Sequence, residues 1–341
     1  MRLTYADRMT SSSVLPPPAA RPSRVEALQM KAYRGLAALG QAMPVDRDEY
    51  PQWTMTVRAT WLLAPRLRRL TFAAEEFRTF TPQGCDEYFG LLTPPPGRAL
   101  VMPDPAALNA RRAVGRIPED VRPDLRWYTV AEHRPSVGEI DVDVVVHDHA
   151  GPAGTWARTA RPGDVAGFRT GTGAYRLPAA GESHLVVGDE TAVPSIAAAL
   201  AAQRRTPRGG RMDVVLEVPG RDHVPALEVP EGATLTVLHR GDAVPGALLT
   251  PHLEDLPAAP RDHVWACGEQ SLATAARRVI VRRGIAPKRA TAAPIALVHL
   301  RGGGEHAATP GRRSLRGRDG IRTRVYGFAG RCLASRPPDQ G

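Results

Sequence analysis

The strongest constraint on this chain is a change of pattern near Gly181. Before it, six short β-branched or aromatic runs are separated by Pro, Gly and Asp clusters: Met55–Ala59, Leu67–Phe72, Tyr88–Leu92, Trp127–Ala131, Ile140–Val146 and Val165–Phe168. Short strands with turn signals between them predict an antiparallel barrel. The run Ile140-Asp141-Val142-Asp143-Val144 alternates cleanly, which puts apolar side chains on one face and carboxylates on the other. Pro94 to Pro123 is longer than an ordinary connection and is punctuated by proline, so it is expected as a loop with a role of its own. After Gly181 the order becomes strand, turn, helix. His184–Val187 leads through Gly188-Asp189-Glu190-Thr191 into an Ala-rich helix from Ala192 to about Gln203. Asp213–Val218 and Thr234–His239 read as strands and Leu248–Leu256 as a short helix. His263–Cys267 is a strand ending in Gly268-Glu269, followed by a helix from Ser271 to Arg283 with Gly284 as its C-cap. Alternating strands and helices predict a parallel sheet that binds ligands at the carboxyl ends of its strands, where Gly188 and Gly268 lie.

The chain has 341 residues, enough for two domains. The expected division is an N-terminal extension over 1–50, partly disordered apart from a candidate helix at Val25–Leu39, then a barrel over 51–180 and an α/β domain over 181–289. Hydrophobic content of 43% and charged content of 23% are those of a globular protein rather than a disordered one. No apolar run approaches the roughly 20 residues of a membrane span. Met1 to Ala20 contains no apolar core of a secretory leader. Cys85, Cys267 and Cys332 are scattered, forming neither metal-ligand spacing nor a disulfide framework, which suits a reducing, cytoplasmic setting. The formal charge of +10 is unevenly placed: from Lys288 to Gly341, eleven basic residues face three acids. The remainder is near neutral, which argues against a nucleic-acid partner.

Two segments carry candidate chemistry. Arg126-Trp127-Tyr128-Thr129 lies on a predicted strand, with Arg126 and Tyr128 on one face and Thr129 on the other. A cation, an aromatic plane and a hydroxyl together suit a flavin, although an ordinary barrel strand could carry the same four residues. In the run His147 to Ala157, a Gly151-Pro152 turn enters a short helix at Ala153, and free N–H groups there favour a pyrophosphate. His147 and His149 lack further ligands at useful spacing, so no metal site is expected. Taken alone, Asp189-Glu190-Thr191 reads equally well as an N-cap with acids near a helix start.

Taken in order, five segments resemble the siderophore-interacting proteins, a branch of the ferredoxin–NADP reductase superfamily. They are Arg126–Thr129, the His147 to Ala157 run, the Pro162-Gly163-Asp164 turn, Gly188 to Pro194 and Trp265-Ala266-Cys267-Gly268-Glu269, and the resemblance spans about 55–288. It implies an antiparallel Greek-key β-barrel holding FAD, followed by an α/β parallel-sheet nucleotide-binding domain. It also implies reduction of ferric siderophores, with NAD(P)H or a ferredoxin as donor. By that resemblance Arg126 would bind FAD phosphate, Tyr128 would stack on the ring and Thr129 would bond the ring's polar edge. His147, Ala153 and Thr155 would flank the pyrophosphate. Asp189, Glu190 and Thr191 would lie near the nicotinamide dinucleotide, with Gly268 and Glu269 on the other side of that cleft. The alternatives are a generic flavin reductase or diaphorase, and a siderophore-binding product without catalysis. No protein acid or base is required for the electron transfer, so no catalytic residue is named.

The chain departs from that family in several places. Ala131 follows Tyr128-Thr129-Val130 where an arginine is usual, Gly90 replaces a frequent lysine, and Gly154 replaces a serine. From about Ala290 a final strand and a closing aromatic segment are expected, yet the chain offers Ala290-Thr291-Ala292-Ala293-Pro294 and then an Arg/Gly/Pro-rich run. Residues 290–341 are therefore expected to be disordered. Gly320-Ile321-Arg322-Thr323 can be encoded by the complement of a transfer-RNA T-arm, which suggests a frameshift near codon 290. A genuine basic tail for acidic partners is the alternative.

Overall fold

The computed structural model describes residues 47, 49–107, 109–146, 152–206, 209–256, 261–282 and 290–294. The expected helix at Val25–Leu39, His147, Gly284 and everything beyond Pro294 lie outside the described residues.

Six strands close a barrel: β1 (Gln52–Ala64), β2 (Leu67–Ala73), β3 (Tyr88–Thr93), β4 (Asp124–Arg134), β5 (Glu139–Val145) and β6 (Val165–Thr172). Their order around it is β1-β2-β5-β4-β3-β6, all antiparallel. Each run predicted from the sequence lies within one of them or overruns it by a residue. Inward alternation fills the barrel with Met55, Phe72, Phe89, Ile140, Val142 and Phe168, all essentially inaccessible to water. The outward face of β5 is buried as well, which alternation alone does not reveal. Arg69 grips Asp143 at 2.7 and 2.8 Å, and Arg134 grips Asp141 at 2.8 Å through both terminal nitrogens. Helix α2 (Pro152–Thr159) covers one part of the barrel, with Ala157 in the core and Trp156 stacked on Phe72.

The long Pro94–Pro123 excursion is largely ordered. It carries α1 (Ala110–Gly115), capped by the Asn109 side chain, which accepts the Arg112 N–H at 3.0 Å. Leu100, Met102, Ala110 and Val114 pack on Leu92 and Leu125 of the barrel wall. Arg169, buried on β6, donates to the carbonyls of Pro105 at 3.3 Å and Ala107 at 2.8 Å, and Gln52 donates to that of Pro103 at 2.5 Å.

The second half is a parallel sheet in the order β11-β10-β7-β8-β9. Its strands are β7 (Ser183–Asp189), β8 (Arg211–Val218), β9 (Ala233–His239), β10 (His263–Gly268) and β11 (Ala290–Pro294). Adjacent residues of each central strand point to opposite faces, so both faces need cover. Val186, Val214 and Leu216 meet α3 (Val193–Arg204), which begins with a proline in its first turn. Leu185, Val187 and Val264 meet α4 (Leu249–Asp255) and α5 (Gln270–Arg282), the latter through Leu272, Ala276 and Val279 at helical spacing.

One expectation is corrected here. The domain was expected to end at 289, with disorder from Ala290, but Ala290–Pro294 pairs with β10 from Val264 to Gly268. A run of small residues with weak strand propensity becomes β11 because a buried neighbour offers it a complete ladder. The two halves also share apolar cover: Ala64 and Leu67, at the tip of the β1–β2 hairpin, sit in one cluster with Val186, Ile196 and Trp265.

Candidate functional site

Along β4 the motif residues separate as alternation requires. Tyr128 lies on the side of Val130 and packs against the barrel core, and burial pushes its phenol up to about 12. Thr129 is buried on the other side, against the second domain. The Arg126 guanidinium reaches back along its own strand, with Nη1 3.1 Å from Asp124 Oδ1. The other oxygen of that carboxylate, Oδ2, accepts the Ala153 N–H at 3.0 Å. Ala153 is the second residue of α2, so this N–H has no partner within its helix and sits at the positive end of the helix dipole. One guanidinium and one helix-terminal amide therefore converge on a single anion.

Arg111 lies nearby on α1, on the helix whose Ala110 and Val114 pack over Leu125. Burial, and then the neighbouring Arg126 charge, lowers its pKa from the ordinary arginine value. Among the described residues it has no hydrogen bond or ion pair. The sequence reading missed both Asp124 and Arg111. Asp124 could have been found by its place two residues before Arg126 on the same strand face. Arg111 has no local signal, because only the fold of the excursion brings it here. This donor set suits the diphosphate of a dinucleotide, being two cations and an orphan N–H around an exchangeable carboxylate.

At the carboxyl ends of the parallel strands, Asp189 is wholly buried and fully engaged. It accepts the Thr191 N–H at 2.9 Å, the Thr191 hydroxyl at 2.6 Å and the Glu269 N–H at 2.5 Å. Burial, and then the neighbouring Glu190 charge, pushes its carboxyl up to about 6. Asp189 thus clips the β7 and β10 turns together. Gly268 makes this possible: its φ is +151°, and a Cβ there would lie 2.6 Å from Asp189 Oδ2. Glu190 is equally committed, with both oxygens 2.7 Å from the terminal nitrogens of Arg240, which follows β9. The fold brings Asp189, Glu190, Thr191, Gly268 and Glu269 together, but the carboxylates of Asp189 and Glu190 are spent on the protein itself.

The two clusters meet at a seam between the domains. Thr129 Oγ1 lies 2.6 Å from Ser195 Oγ, which belongs to the first turn of α3 just beyond the Glu190–Ala192 turn. Thr155 is exposed on α2, and His147 lies outside the described residues. Ser195 was not foreseen, since a serine in a helical run ordinarily signals only a cap.

Residues 56–175 match the siderophore-interacting FAD-binding domain, and residues 181–294 match the siderophore-interacting protein family. The junction between the two matches falls between β6 and β7. An uncharacterized Mycobacterium tuberculosis protein is 34% identical over 203 residues, covering 57% of this chain and 69% of that protein. Ferric vibriobactin reductase ViuB of Vibrio cholerae is 26% identical over 234 residues, covering 68% and 83% respectively. Among solved structures, the siderophore-interacting protein SipS from Aeromonas hydrophila is similar at a TM-score of 0.59 and 28% identity, covering 72% of this chain and 90% of its own. A siderophore utilization protein from T. fusca gives 0.60 at 27% identity, covering 75% and 94%. With its barrel and its parallel sheet each matched in order, the chain belongs to the siderophore-interacting protein family.

Proposed function

We propose that this protein binds FAD against β4 and α2 and reduces ferric siderophores, drawing electrons from NAD(P)H or a ferredoxin-type protein. The observation that carries the reading is the convergence of Arg126 and the Ala153 N–H on one anion at the barrel. When bound, FAD would supply the conversion between a two-electron donor and one-electron delivery to Fe(III). The chain's own residues bind and orient it. Arg126 and the α2 terminus hold the diphosphate, Tyr128 offers an aromatic face, and Thr129 presents a hydroxyl whose direction Ser195 fixes. The Fe(II) product is held poorly by hard oxygen ligands and leaves the siderophore.

Gly90 favours a second reading, a flavin reductase with another acceptor. A Cβ at that position would lie 2.8 Å from Leu125 Cδ1 and 3.3 Å from Arg169 Cβ, so β3 cannot present a cation there without repacking. One experiment separates the two. The FAD-loaded protein is reduced anaerobically with NADPH or NADH and mixed with ferric catecholate, hydroxamate or citrate complexes, following flavin absorbance and trapped Fe(II). Ferric siderophores are expected to speed flavin reoxidation with release of Fe(II). If none does while a quinone or dye does, the flavin reductase reading stands instead.

A further inference from the structure

We infer that Asp124 is an internal stand-in for the cofactor's phosphate, holding Arg126 and the Ala153 N–H in the cofactor-free protein and yielding both when FAD binds. This inference rests on the FAD reading above. Both groups assigned to phosphate are engaged by the same side chain, one on each oxygen, at 3.1 and 3.0 Å. A dinucleotide phosphate that takes the Ala153 N–H or the Nη1 of Arg126 competes with this carboxylate.

The strength and openness of the contacts make them exchangeable. Several ion pairs in this protein are two-pronged and tight, as in Arg240 with Glu190 at 2.7 Å on both sides and Arg69 with Asp143 at 2.7 and 2.8 Å. Arg126 reaches Asp124 through one nitrogen at 3.1 Å, and the two side chains keep 20% and 19% of their surface open to solvent. Such a pair contributes little and is readily displaced. A diphosphate brings more charge and more acceptor oxygens to the same donors, and Arg111 stands beside them without a partner among the described residues. FAD affinity is then set by a difference, namely the phosphate's contacts less those that Asp124 gives up.

Asp124→Asn tests this directly. The asparagine keeps the shape and one acceptor for the Ala153 N–H but gives no charge to Arg126. FAD binding, titrated by quenching of flavin fluorescence, is expected to tighten about threefold, the scale of one weak, partly exposed ion pair. The thermal midpoint of the FAD-free protein is expected to fall slightly, because an internal contact is lost. Opposite signs for affinity and stability distinguish a stand-in from a plain structural contact, whose removal would lower both. Asp120→Asn, on the excursion just before β4, removes an equal charge that faces Arg98 rather than Arg126 and should leave FAD binding unchanged. Asp124→Ser, which keeps a capping oxygen, should tighten binding in the same direction if the asparagine variant folds poorly. FAD binding that is unchanged or weaker in both Asp124 variants, with the parent protein still binding FAD, overturns the inference alone. Failure of every version to take up FAD sinks the FAD reading and the inference with it.

Discussion

Glu190 and Arg240 meet where β7 and β9 end, with side chains only 10% and 5% exposed and two hydrogen bonds of 2.7 Å between them. The attraction is strong at that burial, but each charge has given up its water. Removing one partner strands the other, which costs about 3–5 kcal/mol. Glu190→Ala and Arg240→Ala are each expected to destabilise the protein by that amount in urea unfolding, and the double variant by clearly less than their sum. Additive losses would show that the pair is not coupled. At this scale the sequence was half legible. Its motifs located Arg126, Asp189, Glu190 and Gly268, because turn chemistry and strand alternation are local. Asp124, two residues before Arg126 on β4, was as local as these and was overlooked, whereas Ser195 and Arg240 come from elsewhere in the fold, and pairing across 50 positions, as in Glu190 with Arg240, leaves no local trace.

Among the elements, every strand of the barrel and the first four of the sheet were legible, since β-branched runs bounded by Pro and Gly carry their own signal. The strand β11 was not. Its sequence, Ala290-Thr291-Ala292-Ala293-Pro294, has almost no strand propensity, and its order comes from pairing with β10. A chain ending at 289 would leave that edge of β10 without its ladder, and is expected to lose about 2 kcal/mol or more relative to a chain ending at 294. Urea denaturation of the two truncated chains measures the difference. Equal stability would remove β11 from the folded unit and restore the boundary expected from composition. The excursion is the opposite case: its prolines suggested an irregular loop, but tertiary packing orders it around α1.

For the molecule as a whole, the seam between barrel and sheet decides how acid acts. Tyr175, arriving from the barrel, lies against two sheet histidines, with its Oη 3.2 Å from His184 Nδ1 and its ring 6.1 Å from that of His263. Burial lowers both histidines, and with the neighbouring His184 it holds His263 down at about 4. Glu182 approaches His184 at 3.4 Å and draws the other way, but burial prevails. A histidine whose folded value lies below its unfolded value of 6.5 contributes stability in full above that pH. That stability is lost as pH falls toward 4, at about 1.4 kcal/mol per unit. Asp86 and Asp189, pushed up to about 6 by burial, act in the opposite sense, favouring the fold as they protonate. A His263→Phe variant isolates the histidine. Between pH 7 and pH 4.5 the parent protein is expected to lose about 2–3 kcal/mol relative to it in urea unfolding. Parallel losses in both proteins would mean that His263 takes up its proton as readily in the fold as in the unfolded chain.

The anchoring of the excursion has a consequence for how that segment can change. Arg169 and Gln52 grip it through the carbonyl oxygens of Pro103, Pro105 and Ala107, a group every amino acid possesses. The barrel thus dictates where this segment's main chain runs and leaves the side chains at those three places largely unspecified. Pro105 and Ala107 can be exchanged without losing these bonds, while Leu100, Met102, Ala110 and Val114 must stay apolar to keep their packing on the barrel wall. Exchanging Arg169 would loosen the stretch around Pro105 and Ala107 and leave the apolar contacts of Leu100, Met102, Ala110 and Val114 to hold the segment.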